Sequence, residues 1–226
     1  MTISLAVKGT ACLLQGVALY STVQDLRGNY KPQLKLIGKS ENHISELETL
    51  ASSKASSIFG KNQKHFKIYL ESTNDQWATC AMGTSFGPAS IAMDAVTVAN
   101  NLPLAEFWLT HSVAVICSNA ALKVRAIGFI VFIATVILLS PTLPVASYAI
   151  AYGLESLVAK GFDRWFNLSA FEKAVARSTD EQLTQAQAYL RLQQKSGKSE
   201  ISYLDAKLRL VEAEIQKKGI QTNDQG

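Results

Sequence analysis

Hydrophobic and polar positions along this 226-residue chain change their spacing several times, and each spacing predicts an element. Leu13, Val17 and Tyr20 share a helical face that Val23 and Leu26 extend, which predicts a first helix over residues 2–26. Gly28 and Pro32 punctuate the chain, and residues 34–37 read as a short extended piece. From Ser40 onward, Ile44, Leu47, Leu50 and Ala51 recur at three- and four-residue spacing, with Ser45 and Glu48 as a capping pair. This second helix is expected to fade in the serine-rich run 52–57, read as a fraying segment before Gly60. Phe66, Ile68 and Leu70 then alternate with Lys67, Tyr69 and Glu71, the pattern of a strand. Its expected partner is the segment 77–82, joined through the turn-forming residues 72–75 as a short β-hairpin. Residues 83–101 are small and weakly apolar, and their Gly-Thr-Ser-Phe-Gly run lacks the lysine-containing tail of a phosphate-cradling loop. Pro103 stands at a natural first helical position, followed by Leu104, Phe107, Trp108 and Val115.

The pattern disappears between Ala126 and Leu154, a stretch without one Asp, Glu, Lys, Arg or His. Its first arm, 126–139, carries Ile127, Phe129, Ile130, Val131, Phe132, Ile133, Val136, Ile137, Leu138 and Leu139 and is apolar on every side. Such a helix belongs in a core or in lipid. Ten strong apolar residues favour insertion by roughly 3–6 kcal/mol in sum. Ser140, Pro141 and Pro144 form a breaker, because each proline lacks an N–H and pushes its predecessor toward extended backbone. The second arm, 145–159, mixes Val145, Ile150, Leu154, Leu157 and Val158 with Ser147, Tyr148, Tyr152 and Glu155. An acid at mid-bilayer costs roughly 2.5–3.5 kcal/mol, so this arm needs the company of the first. Ala149 and Gly153 form a small-xxx-small pair suited to close helix approach. Each arm of about 15 residues covers only ~22 Å, short of a ~30 Å hydrocarbon layer. Lys123 and Arg125 precede the first arm and Lys160, Arg164 and Trp165 follow the second, as interfacial anchors. Cations at both ends suit a hairpin with both feet on one cytosolic face better than a single kinked span.

Beyond Leu168 the chain turns polar and helical. Residues 178–181, Ser-Thr-Asp-Glu, are a capping pattern for a helix containing Leu183, Ala186 and Leu190. After a break at 196–199, Ile201, Leu204, Leu208, Val211 and Ile215 follow spacings of 3, 4, 3 and 4, an a/d seam. Two heptads are too short to stand alone. The seam therefore takes either the preceding helix of the same chain or a partner helix, including a second copy. Residues 220–226 read as a disordered tail.

Composition agrees with a partly embedded protein. Charged residues are 18% of the chain, below the roughly 25% of soluble domains. Mean hydropathy is only +0.10, because polar flanks surround the apolar stretch. The net charge of +4 is spread along the chain, without the aromatic-interleaved basic motif of nucleic-acid binders. The first 21 residues hold their only early cation, Lys8, inside the apolar run and lack a clean small-residue cleavage site, which argues against a cleaved secretory signal. Cys12, Cys80 and Cys117 show neither metal-ligand nor disulfide spacing. An enzymatic reading would rest on Cys80, Cys117, His111 and Glu106, whose spacings align them poorly on a helix. No cofactor, metal ligand set or small-molecule substrate is expected.

The run Ile201-Ser202-Tyr203-Leu204-Asp205 and the Ala-rich helix after it look locally like the helical repeat of TolC-type outer-membrane channels, over about twenty residues. The likeness is one of helix grammar, since that family's duplicated helices and barrel strands are absent. The overall layout resembles more the inclusion-membrane proteins of chlamydia-type intracellular bacteria, which carry a two-lobed hydrophobic hairpin flanked by cytosolic helices. This resemblance is architectural. The long N-terminal region and short arms of this chain depart from it. It implies a secreted effector in a host membrane, acting in scaffolding or fusion control. The expected fold is mainly α: a small mixed region over 1–102, a membrane-associated helical hairpin within 103–160, and C-terminal antiparallel or coiled-coil helices over 161–219. The expected function is a non-enzymatic membrane-anchored scaffold whose hairpin meets lipid and whose C-terminal helices meet a protein partner or self-associate. A conditionally inserting, membrane-perturbing protein and a soluble protein with a buried apolar hairpin are the alternatives.

Overall fold

The computed structural model describes residues 43–59, 65–71, 79–85, 87, 89–143, 145–196 and 201–220, with isolated helical positions 9, 10, 13, 17 and 20. The elements among these are α1 (Ile44–Phe59), β1 (Phe66–Glu71), β2 (Thr79–Gly83), β3 (Ala89–Asp94), α2 (Ala95–Asn100), α3 (Leu102–Cys117), α4 (Ala120–Leu139), α5 (Ala146–Val175), α6 (Asp180–Ser196) and α7 (Ile201–Lys218). The fold is thus mainly helical, with one small sheet.

The centre of the molecule is α3. Asn101 caps it, accepting from the Leu104 backbone N–H at 3.1 Å, and Pro103 sits in the first turn, where a missing N–H costs nothing. Ala105, Leu109, Val113 and Ile116 face a first core made with Leu47 and Ala51 of α1, strands β1 and β3, and Val98 of α2. Leu104, Phe107 and Trp108 face a second core made with Phe171 and Val175 of α5 and the apolar faces of α6 and α7. A helix buried on both sides shows no polar stripe, which explains the even apolarity of its sequence.

The sheet order is β1-β3-β2, with β1 parallel and β2 antiparallel to β3. The strand at 66–71 forms as expected. Its expected hairpin partner does not: β2 lies on the far side of β3, registering Cys80 with Ala92 rather than with any residue of β1. The strand that separates them, β3, is buried along residues 89–93, so its sequence carries no alternation to betray it. Its last residue, Asp94, caps α2 by accepting from the backbone N–H and hydroxyl of Thr97, at 2.8 and 2.6 Å.

Three further expectations change. The serine-rich run 52–57 does not fray but continues α1 to Phe59. Its hydroxyls are absorbed by back-bonding, with Ser52 and Ser56 donating to the carbonyls of Glu48 and Ser52. Glu48 does not cap α1 but accepts from the Ile68 backbone at 3.1 Å, tying the helix to β1. The second arm does not stop near residue 159: α5 is one helix of 30 residues that runs on through Trp165 into the second core. The expected extended piece at 34–37 and the tail 221–226 lie outside the described residues. Of the first expected helix, Leu13, Val17 and Tyr20 are helical and exposed.

The C-terminal seam closes on the chain itself. Leu204, Leu208, Val211 and Ile215 are buried against Leu183, Ala186 and Leu190. Antiparallel side-chain bonds, Gln194 to Asp205 at 2.7 Å and Arg191 to Glu212 at 3.1 Å, run along the two helices. The capping pattern expected at 178–181 is realised one residue later, as a reciprocal box between Thr179 and Gln182.

Phe171 joins α5 to the second core, with ring contacts to Phe107, Trp108 and His111 at 5.4, 6.0 and 5.5 Å. Phe171→Ala is expected to cost about 3–5 kcal/mol of unfolding free energy, measured by denaturant unfolding. Ile137→Ala on the exposed face of α4 is expected to leave the same transition within ~0.5 kcal/mol.

Candidate membrane-facing site

Two helices leave the globular part together. Asn119, in the left-handed conformation at φ 54°, turns the chain out of α3 into α4. A left-handed residue suits Asn better than a bulkier side chain. Its amide is clamped to the β2–β3 connection, accepting from the Ser85 N–H and donating to the Ser85 hydroxyl, both at 2.7 Å. From there α4 runs outward for 20 residues, about 30 Å, longer than the arm expected from its uncharged part alone. The difference is the first turn and a half, which contains Lys123 and Arg125 and is already helical. Length and composition make α4 the one helix among the described residues able to cross a membrane, with a mean hydropathy of 2.3 and 22% of that window buried.

The chain reverses between α4 and α5, and the first half of α5 returns along α4. Phe132 meets Tyr148 and Tyr152 at ring distances of 6.5 and 4.8 Å, and Lys123 lies 5.5 Å over the Phe166 ring. Besides the Phe132 ring, what the two helices bury between them is mostly small or polar. Ser147 and Ala151 are fully buried, and Gly128 faces Glu155 so closely that a Cβ there would stand 3.2 Å from its Cγ. The close approach thus uses Ser147, Ala151 and Gly128. The small pair expected to make it, Ala149 and Gly153, points outward, with open space around Gly153.

The apolar bulk faces away from the contact. Phe129, Ile133, Ile137, Ile150 and Leu154 are exposed, Ile127 and Leu139 are half-buried, and Phe132 is turned inward against the tyrosines. Ser140 is half-buried and Pro141 exposed, and Pro144 lies outside the described residues. Arg125, Lys160 and Arg164 are exposed at the base of the pair, and the Trp165 ring meets that of Phe166 at 4.8 Å in a tilted contact. Of the expected seam residues, four are consumed in the second core, and the side chain of Ile201 lies outside the described residues. An open groove of about 820 Å³ between α5 and α7, lined in part by Trp165, Glu172, Asp205 and Arg209, is the concave surface beside the base.

The residues that would carry an enzymatic reading have separate occupations. Glu106 accepts from Gln182 at 2.7 Å, Cys117 is buried in the first core, and the side chain of Cys80 lies outside the described residues. Among the described residues no group of three or more His, Cys, Asp or Glu is placed to hold a metal. His111 is enclosed by aromatic rings, with Trp108 at 5.7 Å and Phe171 at 5.5 Å, and its Nε2 has no hydrogen-bond partner among the described residues. Burial, aided by the charge of Lys207, pushes its pKa down to about 3, against a hydrogen bond to the Asn167 backbone.

Lys207 belongs to the same cluster. Its ammonium lies 4.6 Å from the Tyr203 ring and 5.2 Å from Phe171, and burial lowers its pKa to about 8. In the sequence it reads as one more charge on the polar face of α7. Nothing local distinguishes it, because its enclosure comes from α3 and α5.

No known protein family, curated protein or solved structure matches the chain.

His111 stays neutral in the fold down to about pH 3, whereas in the unfolded chain it takes up a proton near pH 6.5. Between these values the unfolded chain holds the extra proton. His111 therefore contributes stability above pH 6.5 that is lost as pH falls, by up to ~1.4 kcal/mol per pH unit. Denaturant midpoints between pH 7 and 5 are expected to fall for the wild type and to flatten in His111→Phe; equal slopes would remove the assignment.

Proposed function

We propose that the α4–α5 pair inserts into a bilayer as a helical hairpin and anchors a non-enzymatic interaction protein, with the globular part and both chain ends on the cytosolic side. The observation that carries this reading is the exposure of α4. Ile130 and Ile137 are each 65% exposed and Leu138 75%, on a helix without a charge beyond Arg125. A continuous apolar face of this kind on a soluble protein invites association or binds something apolar. The reading of a soluble protein with a buried hairpin needs a cover for these side chains, and among the described elements α5 is the main neighbour of α4 over most of its length. The exposed cations at the base favour the cytosolic leaflet. With the seam of α7 occupied, the groove beside Trp165 is the surface offered to a partner. The layout shared with inclusion-membrane proteins supports a host membrane as the setting and secretion as the route.

Carbonate extraction of cells expressing the full chain tests the anchor. The wild type is expected in the carbonate-resistant pellet. Lysine costs roughly 2.5–3.5 kcal/mol at mid-bilayer and less toward the boundary, so replacing Ile130 and Ile137 together lowers partitioning by at least about fiftyfold. The double variant is expected in the soluble fraction, with the unfolding transition of the globular part unchanged, since both side chains are exposed. Wild type in the soluble fraction, as a monomer, would overturn the anchor; a soluble oligomer would assign the apolar face to a second copy.

A further inference from the structure

Four of the six N–H groups from Ser140 to Ser147 are bonded within the turn between α4 and α5, and the other two, of Val145 and Ala146, stand at the uncapped start of α5. Leu139 O accepts from the N–H of Thr142 at 3.1 Å, the N–H of Leu143 at 2.8 Å and the Thr142 hydroxyl at 3.2 Å. The Ser140 N–H donates to Val136 O and the Ser147 N–H to Leu143 O, both at 2.9 Å. Pro141 and Pro144 have no N–H to satisfy. Most of the exposed side chains at the tip are apolar: Leu138, Leu143 and Val145 are 75%, 47% and 41% exposed, and the hydroxyl of the exposed Thr142 is bonded to Leu139 O. Turns in water close with the same hydrogen bonds but have no need of an apolar tip. In hydrocarbon an unbonded N–H costs several kcal/mol, so a turn there must satisfy its donors internally.

Distance from the tip separates two depths. Charge-free helix extends 14 residues back along α4, from Leu139 to Ala126, or about 21 Å. Along α5 it extends only nine residues, Ala146 to Leu154, about 14 Å, before Glu155. If the tip reached the far surface of a ~30 Å hydrocarbon layer, Glu155 would lie close to its centre. If the tip stops at the midplane, Glu155 falls at the boundary of a ~15 Å leaflet. Arg125 and Lys160, both about 21 Å from the tip, then fall in the headgroup layer, where phosphates meet their charge. Trp165, 19 residues along α5 or about 29 Å from the tip, lies in this placement at the junction with the globular part and not at the hydrocarbon edge.

We infer that the α4–α5 pair enters a single leaflet, its turn stopping near the bilayer midplane and Glu155 lying at the hydrocarbon boundary. This rests on the anchoring reading above and adds its depth. The pair is then a wedge in the cytosolic leaflet, and no residue reaches the opposite aqueous phase.

The test uses the full chain with Cys12, Cys80 and Cys117 replaced by Ala and one reporter introduced at the tip, Leu143→Cys, with Val145→Cys as a second variant. Each is reconstituted with vesicles of neutral lipid plus about a quarter anionic phospholipid and recovered by flotation. A membrane-impermeant maleimide is supplied either outside or trapped in the lumen. Both reporters are expected to label less than a tenth from either side and fully after detergent. A bimane on the same cysteine is expected to be quenched more by a nitroxide deep on the acyl chain than by one at the headgroup. Labelling from the lumen in floated vesicles would overturn the leaflet depth while leaving the anchor intact. Labelling from outside with headgroup quenching would place the tip at the surface and overturn it equally. Failure of the reporters and of the wild type to float would overturn the anchor and the depth together.

Discussion

α3 and α4 are consecutive helices, both apolar on every side, and the fold depends on the different surroundings each receives. A helix without a polar stripe has to be covered all round. α3 is covered by protein: the sheet and α1 lie against one side, and α5, α6 and α7 against the other. The two cores of the molecule are the two sides of this one helix. α4 has α5 along one side and keeps the rest of its apolar surface outward. Two residues, Ser118 and Asn119, separate these fates. The left-handed Asn119, held by Ser85, directs α4 away from the core that has just absorbed α3.

α5 connects the two environments without a break. Its first part, with Ser147 and Ala151 turned toward α4, belongs to the pair, and its last turns, with Ala170, Phe171, Ala174 and Val175, belong to the second core. A continuous helix transmits orientation, so the direction of the outer pair is set by how Phe171 seats between Phe107, Trp108 and His111. The buried neutral His111 and the enclosed Lys207 stand at this seat. Both make it sensitive to protonation in a way that the outer pair, with its charge-free tip, is not.

The elements legible in the sequence are those whose signal is local. The seam through Leu204, Leu208, Val211 and Ile215 shows a 3-4 spacing because only one face of α7 is buried, and β1 alternates because Lys67 is exposed while Phe66, Ile68 and Leu70 are buried. β3 was not legible because burial along its length removes alternation, and the β1–β3 pairing was not legible because a non-local parallel register leaves no local trace. The helix ends misled for a related reason. Lys123 and Arg125 mark the end of the uncharged stretch but not of α4, since exposed charges are compatible with helix. The polar residues after Glu155 mark a change of surroundings along α5, not a change of conformation. At the candidate site, the exposed apolar residues and basal cations were readable as types. Which small residues make the helix contact was not, because Ser147–Ala151 and Ala149–Gly153 have the same spacing and only the azimuth of the packed pair tells them apart.

That azimuth inverts the rule followed by the rest of the molecule. In the globular part, Phe107, Leu109, Phe171 and Leu190 are inside, and most charged side chains lie toward solvent, the enclosed Lys207 excepted. In the outer pair a serine, an alanine, a glycine and the stem of a glutamate lie between the helices with one large apolar ring, Phe132, and Ile130, Ile137, Leu138 and Leu157 lie outside. Water drives large apolar groups together and would select the opposite arrangement. In hydrocarbon, burying an isoleucine gains nothing over leaving it in contact with acyl chains, and helix association comes from close backbone approach and from satisfying polar groups. The weakly apolar composition of the second arm follows from this. In the proposed anchor its polar residues would be tolerated where they face α4, and α4, which carries most of the outward apolar surface, would supply the insertion free energy for both.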